Sequence, residues 1–208
     1  MPKYGKNLEQ IFRQQNNKLP FQTIIQIGLK LIDIIEMIHA AGYTYNDLKL
    51  DNILIGDHQQ TEHSMNQVRL IDFGFAQKFI DHEGHHIEQD DVDVFRSNMI
   101  FATVDQFEFK TSSRKDDLQS LCYMLAYLFK SGDVPFVDKD NMSQRETFVF
   151  IKGVKEKLEP QELVDNSIEN HEQVAEFLKE VFAYGFKDTP NYTKLKVLLM
   201  KAMPTYTF

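Results

Sequence analysis

Two short apolar runs, Ile53-Leu54-Ile55 and Val68-Arg69-Leu70-Ile71, constrain this chain more than any other feature, because each carries chemistry-bearing residues at one end. Tyr45-Asn46-Asp47-Leu48-Lys49-Leu50-Asp51-Asn52 precedes the first, and Asp72-Phe73-Gly74 follows the second. β-Branched runs bounded by polar segments read as strands, and the polar stretch Gly56 to Gln67 reads as the loop between them. A fold containing both strands must bring the Asp47–Asn52 loop and Asp72 to the same edge. Gly74 supplies backbone freedom just after Asp72.

The flanking sequence reads as helix. Residues 7–15 predict a short helix closed by Asn16-Asn17-Lys18. From Leu19 onward, Ile24, Ile27, Leu31, Ile35 and Ile38 recur at helical spacing, and Ile32 and Ile34 widen the apolar face. That helix is expected to end at Ala40-Ala41-Gly42, with Gly42 in the left-handed position after it. Helical spacing returns at Leu118, Leu121, Met124, Leu125 and Leu128, and again at Val174, Phe177, Leu178, Val181 and Phe182. The acidic stretch Asp81 to Asp93 shows no clean period and reads as a solvated loop. The order of elements predicts a mainly helical α+β body with a small sheet at one edge. At 208 residues and 42% hydrophobic, the chain can bury one substantial core.

Acidic residues outnumber basic ones by 31 to 23. This argues against nucleic acid and anionic membranes as partners, since both require a basic face. Cys122, the single cysteine, excludes an internal disulfide and sits in an apolar helical context that predicts a core position. The most apolar stretch, Ile24 to Ile38, contains Gln26, Lys30, Asp33 and Glu36 and is not a membrane span. The N-terminus lacks the apolar segment of a signal peptide, so a cytoplasmic or nuclear location is expected.

The residues at the strand ends suit phosphoryl transfer. That reaction passes through a loose transition state, so a protein contributes mainly positioning and charge stabilisation. It needs a carboxylate facing the attacking hydroxyl, a cation near the transferred phosphate, and oxygen ligands for magnesium. Asp47, Lys49 and Asn52 offer three of these from one loop, and Asp72 arrives from the second strand. This pattern resembles the protein-kinase signature of a catalytic-loop Asp and Asn at this spacing followed by Asp-Phe-Gly. Lys49 resembles the serine/threonine type.

Further segments narrow the resemblance to the casein kinase 1 family. Ser113-Arg114-Lys115-Asp116-Asp117-Leu118-Gln119-Ser120-Leu121 resembles its Ser-Arg-Arg-Asp-Asp-Leu-Glu-Ser-Leu. Phe101-Ala102-Thr103 resembles the Tyr-Ala-Ser that replaces Ala-Pro-Glu there, and Thr189-Pro190-Asn191-Tyr192 resembles Lys-Pro-Asp-Tyr. Tyr4-Gly5-Lys6-Asn7-Leu8-Glu9 resembles the segment that follows the interlobe hinge. The resemblance implies that residues 1–208 are the C-terminal lobe of a kinase catalytic domain, a helical bundle whose few short strands carry the catalytic and metal-binding loops, with the N-terminal lobe absent. It implies Asp47 as catalytic base, Lys49 as the cation at the γ-phosphate, and Asn52 and Asp72 as Mg2+ ligands. ATP is then the cofactor and a protein hydroxyl the acceptor. Asp117 would brace the catalytic loop near Tyr45 and Asn46, with Asp116 more exposed.

Three departures shape these expectations. The Gly-rich loop, the lysine that pairs with ATP phosphates and its glutamate would all lie before Met1. Tyr45-Asn46 stands where the family has His-Arg, so control by a phosphorylated activation loop loses its partner cation. Ile100 replaces an arginine that the family uses to hold a phosphorylated substrate residue, which argues against phospho-primed or acidic substrates. Two alternatives to a serine/threonine kinase are a non-catalytic kinase-like module that binds a partner protein, and a small-molecule phosphotransferase. With no N-terminal lobe, apolar surface around Ile11, Phe12 and the end of the long helix is expected to be exposed, as a place for association or docking. His82, His85 and His86 fit no fixed metal-ligand spacing and read as part of the solvated acidic loop.

Overall fold

The computed structural model describes residues 5–56, 68–137 and 142–203. The Gly56–Gln67 loop therefore lies almost wholly outside the described residues. Helix α1 (Leu8–Gln14) starts at Asn7, whose side chain accepts the Gln10 amide while Gln10 reaches back to the Asn7 amide. It stops at Asn16 and Asn17, both in left-handed conformation at φ 54° and 59°. Asparagine tolerates that region better than most residues. Helix α2 (Phe21–Ala40) buries Ile24, Ile25, Ile27, Leu31, Ile32 and Ile35, and Gly42 at φ 83° turns the chain after it.

α2 packs against α4 (Arg114–Phe129) and α7 (Tyr192–Lys201), and α6 (His171–Phe182) packs against both of those. The contact is close at Gly28, where a Cβ would come within 2.9 Å of Leu199 Cδ2 and 3.2 Å of Leu125 Cδ2. α4 is buried almost all round, from Leu118 through Leu128, with Cys122 fully enclosed. The remaining helices are α3 (Val104–Phe107) and α5 (Gln144–Lys155). Among the described residues, no helix is long and apolar enough to cross a membrane.

The strands form two separate two-stranded ribbons, not the single small sheet expected. β1 (Tyr43–Thr44) pairs with β4 (Gln77–Lys78), and β2 (Ile53–Ile55) pairs with β3 (Val68–Leu70), both antiparallel. The loop between β1 and β2 and the loop between β3 and β4 are therefore clamped together at both ends. The intervening residues leave the extended path to make turns, which is why the ribbons do not merge.

Two further expectations are corrected. Phe12 is 1% exposed and Ile11 is partly buried, because α1 lies on the 3-10 turn Leu50–Asn52 and Phe12 packs against the Tyr127 ring at 5.8 Å. Met37, near the end of α2, is 66% exposed. The stretch from Asp81 to Asp93 is not simply solvated. His86 is half-buried between the rings of Phe79 and Phe186, at 5.3 and 5.0 Å. The acidic run is pinned by Val92 N–H to Phe109 O at 2.7 Å and Thr111 N–H to Asp90 O at 2.8 Å.

Candidate active site

The two clamped loops meet at Asp47, Asn52 and Asp72. Asp47 is 4% exposed, and its Oδ2 accepts from Lys49 Nζ at 2.7 Å and Asn52 Nδ2 at 2.9 Å. Asn52 Nδ2 also donates to the Asp47 carbonyl at 3.1 Å. These bonds fix the loop on itself and leave Asp47 Oδ1 without a protein partner among the described residues. The Ile71 amide donates to the Asn52 carbonyl at 3.0 Å, so the strand that ends before Asp72 is tied to the residue that ends the loop.

Asp72 is exposed and has φ 60°, a left-handed conformation that is uncommon outside glycine and costs energy when held. Its Oδ1 accepts the Gly74 amide at 3.1 Å. A Cβ on Gly74 would lie 3.1 Å from that same oxygen, so glycine permits the approach. Asn52 Oδ1 and Asp72 Oδ2 have no partner among the described residues. Both are hard oxygen donors of the kind Mg2+ takes, and the donor set fits that ion.

Four side chains other than the acid, base and metal-ligand candidates hold this geometry. Tyr45 is buried, its hydroxyl donates to the Ile71 carbonyl at 2.5 Å, and its ring meets Phe73 edge-on at 5.3 Å. Burial holds the Tyr45 phenol well above its ordinary pKa, so it stays a donor. Asn46, at φ 68°, donates through Nδ2 to the Phe75 carbonyl at 2.9 Å and to Thr44 Oγ1 at 3.2 Å. It thus bridges the strand before the catalytic-type loop to the turn after Asp72.

His39 and Tyr192 act one step further out, through Asp117. Asp117 Oδ2 accepts the Tyr45 amide at 2.7 Å and Oδ1 accepts the Asn46 amide at 2.8 Å. His39 Nε2 lies 2.8 Å from Asp117 Oδ2, and its Nδ1 lies 2.6 Å from the Tyr192 hydroxyl. With a proton on Nε2, His39 donates to Asp117, and its Nδ1 faces the Tyr192 hydroxyl. All of these groups are buried or half-buried, where paired polar groups rigidify what they connect.

Asp116 is not more exposed than Asp117; it is 0% exposed. It is the third residue of α4, so its carboxylate closes a capping box with the Ser113 amide at 2.8 Å, and it also accepts from Thr103 Oγ1 at 2.7 Å. Burial pushes its carboxyl pKa up, opposed chiefly by Lys115 at 3.2 Å. Ile100 packs half-buried against the core, and its carbonyl accepts from Lys155 Nζ at 2.7 Å. The buried Lys155 ammonium also donates to the Ala102 carbonyl at 2.6 Å and stands 3.8 Å from the Tyr123 ring centroid. The sequence reading missed His39, Tyr192 and Lys155. The available signals were a histidine near the end of an apolar helix six residues before Tyr45, and the place of Tyr192 in the segment that resembles Lys-Pro-Asp-Tyr.

The family model for the protein kinase domain matches residues 3–196. A probable casein kinase I homolog of Encephalitozoon cuniculi is 29% identical over 175 residues, 84% of this chain and 52% of that protein. A probable serine/threonine-protein kinase of Dictyostelium discoideum is 28% identical over 199 residues, 94% of this chain and 37% of that protein. Casein kinase I homolog 2 of Saccharomyces cerevisiae is 26% identical over 200 residues, 96% and 36% of the two chains. The chain thus spans about half, or about a third, of the length of these curated relatives.

Proposed function

From the premise that this chain belongs to the protein kinase family and is distantly related to casein kinase I, we propose that it takes part in phosphoryl transfer from Mg-ATP to serine or threonine hydroxyls of proteins. The observation that carries this reading is Asp47 held by Lys49 and Asn52, with Oδ1 left open and Asp72 brought alongside. Asp47 Oδ1 receives the proton of the acceptor hydroxyl or orients that hydroxyl for attack. Lys49, one quarter exposed and hinged on a flexible stem, turns to the transferred phosphate oxygens. Asn52 and Asp72 hold Mg2+, which when bound neutralises charge on the nucleotide phosphates.

Residues 1–208 in this reading form the C-terminal lobe of the catalytic domain. The described residues include helices, catalytic-type loop and Asp-Phe-Gly; no Gly-rich strand is found among them, and their one strand lysine, Lys78 of β4, comes after Asp-Phe-Gly. The surface beside Asp72 and Phe73 would face the second side of the nucleotide cleft. The competing reading, a kinase-like module that only binds a partner protein, gives a different outcome in one assay. Transfer of labelled phosphate from ATP to a protein substrate is measured for the full-length protein and for Asp47→Asn and Asp72→Ala. Mg2+-dependent transfer that falls at least about 10²-fold in both variants supports the kinase reading. Undiminished transfer in the Asp47 or Asp72 variant removes that residue's role, and no transfer in the unaltered protein even when fused to a kinase N-terminal lobe favours the binding module.

A further inference from the structure

Asn46 carries a buried polar atom that the site leaves unused. The residue is 2% exposed, and its Nδ2 donates to the Phe75 carbonyl and to Thr44 Oγ1. A carbonyl only accepts, so the bond to Phe75 fixes the amide with its nitrogen on that side and its oxygen on the other. That oxygen is buried and has no partner among the described residues. Asn46 also lines a cavity of about 20 Å³, with room for about one water-sized group. Neither Phe75 nor Thr44 borders this cavity, so Oδ1 is the side-chain atom of Asn46 available to it. Two of the other polar walls are engaged. Gln106 takes the Thr103 amide at 3.0 Å and donates to Ser112 Oγ at 3.2 Å, and Lys110 Nζ donates to Asp91 at 2.5 Å. Arg96 also borders the cavity, is exposed, and has no bonded partner among the described residues.

We propose that Arg96 is a positioning residue: its guanidinium reaches into this cavity and donates to Asn46 Oδ1, latching the segment after the acidic run to the loop that carries Asp47. What the latch positions rests on the phosphotransferase reading; the bond itself does not. One terminal NH2 of a guanidinium is about the size that the cavity admits, and the rest of the group stays in water, so the charge is not buried. A bond from a cation to an amide oxygen is stronger than one between neutral groups. Gln77 and Ser112 border the same cavity but offer only neutral donors. With Val92 and Val94 as apolar walls, the bond meets less competition from water. Asn46 ties β1 to the turn after Asp72, and its backbone amide is held by Asp117. Through that one residue the latch sets where the segment sits relative to both Asp47 and Asp72.

The test is a double-mutant cycle read by urea unfolding, with Arg96→Ala, Arg96→Lys and Asn46→Gly. Glycine suits position 46 because φ is 68° there. Arg96→Ala should raise the unfolding constant about 5-fold or more in the unaltered background and less than about 2-fold beside Asn46→Gly, with Arg96→Lys in between. Equal factors in the two backgrounds overturn the bond. A second measurement keeps the test valid where Asn46→Gly loosens the fold. The Val92 and Ala102 amides, hydrogen-bonded on either side of Arg96, should exchange with solvent several-fold faster in Arg96→Ala. Unchanged exchange also overturns the bond. Phosphate transfer to a serine peptide, by the same variants fused to a kinase N-terminal lobe, reads the positioning role. A fall in kcat with KM for the peptide unchanged, partly rescued by Arg96→Lys, supports it. A rise in KM alone, or no change, overturns it. Absence of transfer even by the unaltered fusion removes the phosphotransferase reading, while the cycle still decides the bond.

Discussion

Asp116 and Asp117 are adjacent, both buried and both fully engaged, yet they act on different parts of the molecule. Removing either carboxylate leaves buried donors unpaired, at about 1–3 kcal/mol for each uncompensated group. Asp117→Ala frees the Tyr45 and Asn46 amides and the His39 ring; Asp116→Ala frees the Ser113 amide and the Thr103 hydroxyl. We therefore expect both variants to lower the thermal midpoint by comparable amounts, while Asp117→Ala alone lowers kcat beyond what its folded fraction explains. Equal kcat per folded molecule would show that Asp117 supports only the fold. Tyr45 permits a finer test. Tyr45→Phe keeps the ring against Phe73 and loses the bond to the Ile71 carbonyl, so Asp72 should be held less firmly. The expected outcome is a several-fold rise in the Mg2+ concentration needed for half-maximal transfer, with a midpoint loss of about 1 kcal/mol or less. An unchanged Mg2+ requirement would refute the positioning role. The spacing of Asp47, Lys49, Asn52 and Asp72 was legible because it is set by one loop and one strand pair. So was the pairing of Asp117 with the amides of residues 45 and 46, through its segment's resemblance. The Tyr45 hydroxyl, His39 and Tyr192 were not legible, since their partners lie 26, 78 and 153 residues away along the chain.

Lys155, the last residue of α5, decides how that helix meets the segment after the acidic run. Its ammonium has no carboxylate partner in any described contact and satisfies itself on the Ile100 and Ala102 carbonyls and the Tyr123 and Phe136 rings, the latter at 4.7 Å. Burial therefore holds its pKa well below the ordinary lysine value. The unfolded chain then binds more protons than the folded one between that lowered value and about 10.5, so stability rises with pH across this window. Lys155→Met should lose about 1–3 kcal/mol by leaving two carbonyls unpaired, with the deficit growing as pH increases. Urea unfolding of both proteins between pH 6 and 9 checks this; a deficit that shrinks with pH would show the lysine is stabilised as a cation by the rings. α2, α4 and α6 were readable because each presents one apolar face or is buried all round. α5 was not, since its apolar residues point both ways, with Ile151 buried and Val149 64% exposed. The β2–β3 ribbon was readable from its two β-branched runs, whereas the β1–β4 ribbon was not, since two-residue strands carry no pattern of their own.

At the scale of the whole molecule, the kinase proposal makes the described residues one wall of a nucleotide cleft. Asp72, Phe73, Gly74 and Phe75 form an exposed run along it, and nothing among the described residues stands opposite them. On that proposal a triphosphate would have metal ligands below it and solvent above, so its phosphates would retain orientational freedom that in-line transfer must remove. Misplacement of ~1 Å already costs ~10²-fold in such reactions, and loss of an entire set of positioning groups costs more. The buried ring of Phe12 shows that this body nevertheless closes its own core along α1, so residues 1–208 should fold cooperatively. We accordingly expect residues 1–208 to unfold in one transition yet to transfer phosphate from ATP more than about 10²-fold more slowly than the same polypeptide fused to a kinase N-terminal lobe, with Asp47→Asn as the background control. The two measurements separate the explanations for a weak signal. A broad or absent unfolding transition would mean that the polypeptide fails as a fold, whereas a sharp transition with little transfer isolates the missing side of the cleft. Turnover by residues 1–208 matching that fusion, and abolished by Asp47→Asn, would overturn the two-sided account, because preorganisation of the triphosphate would then come from this wall alone.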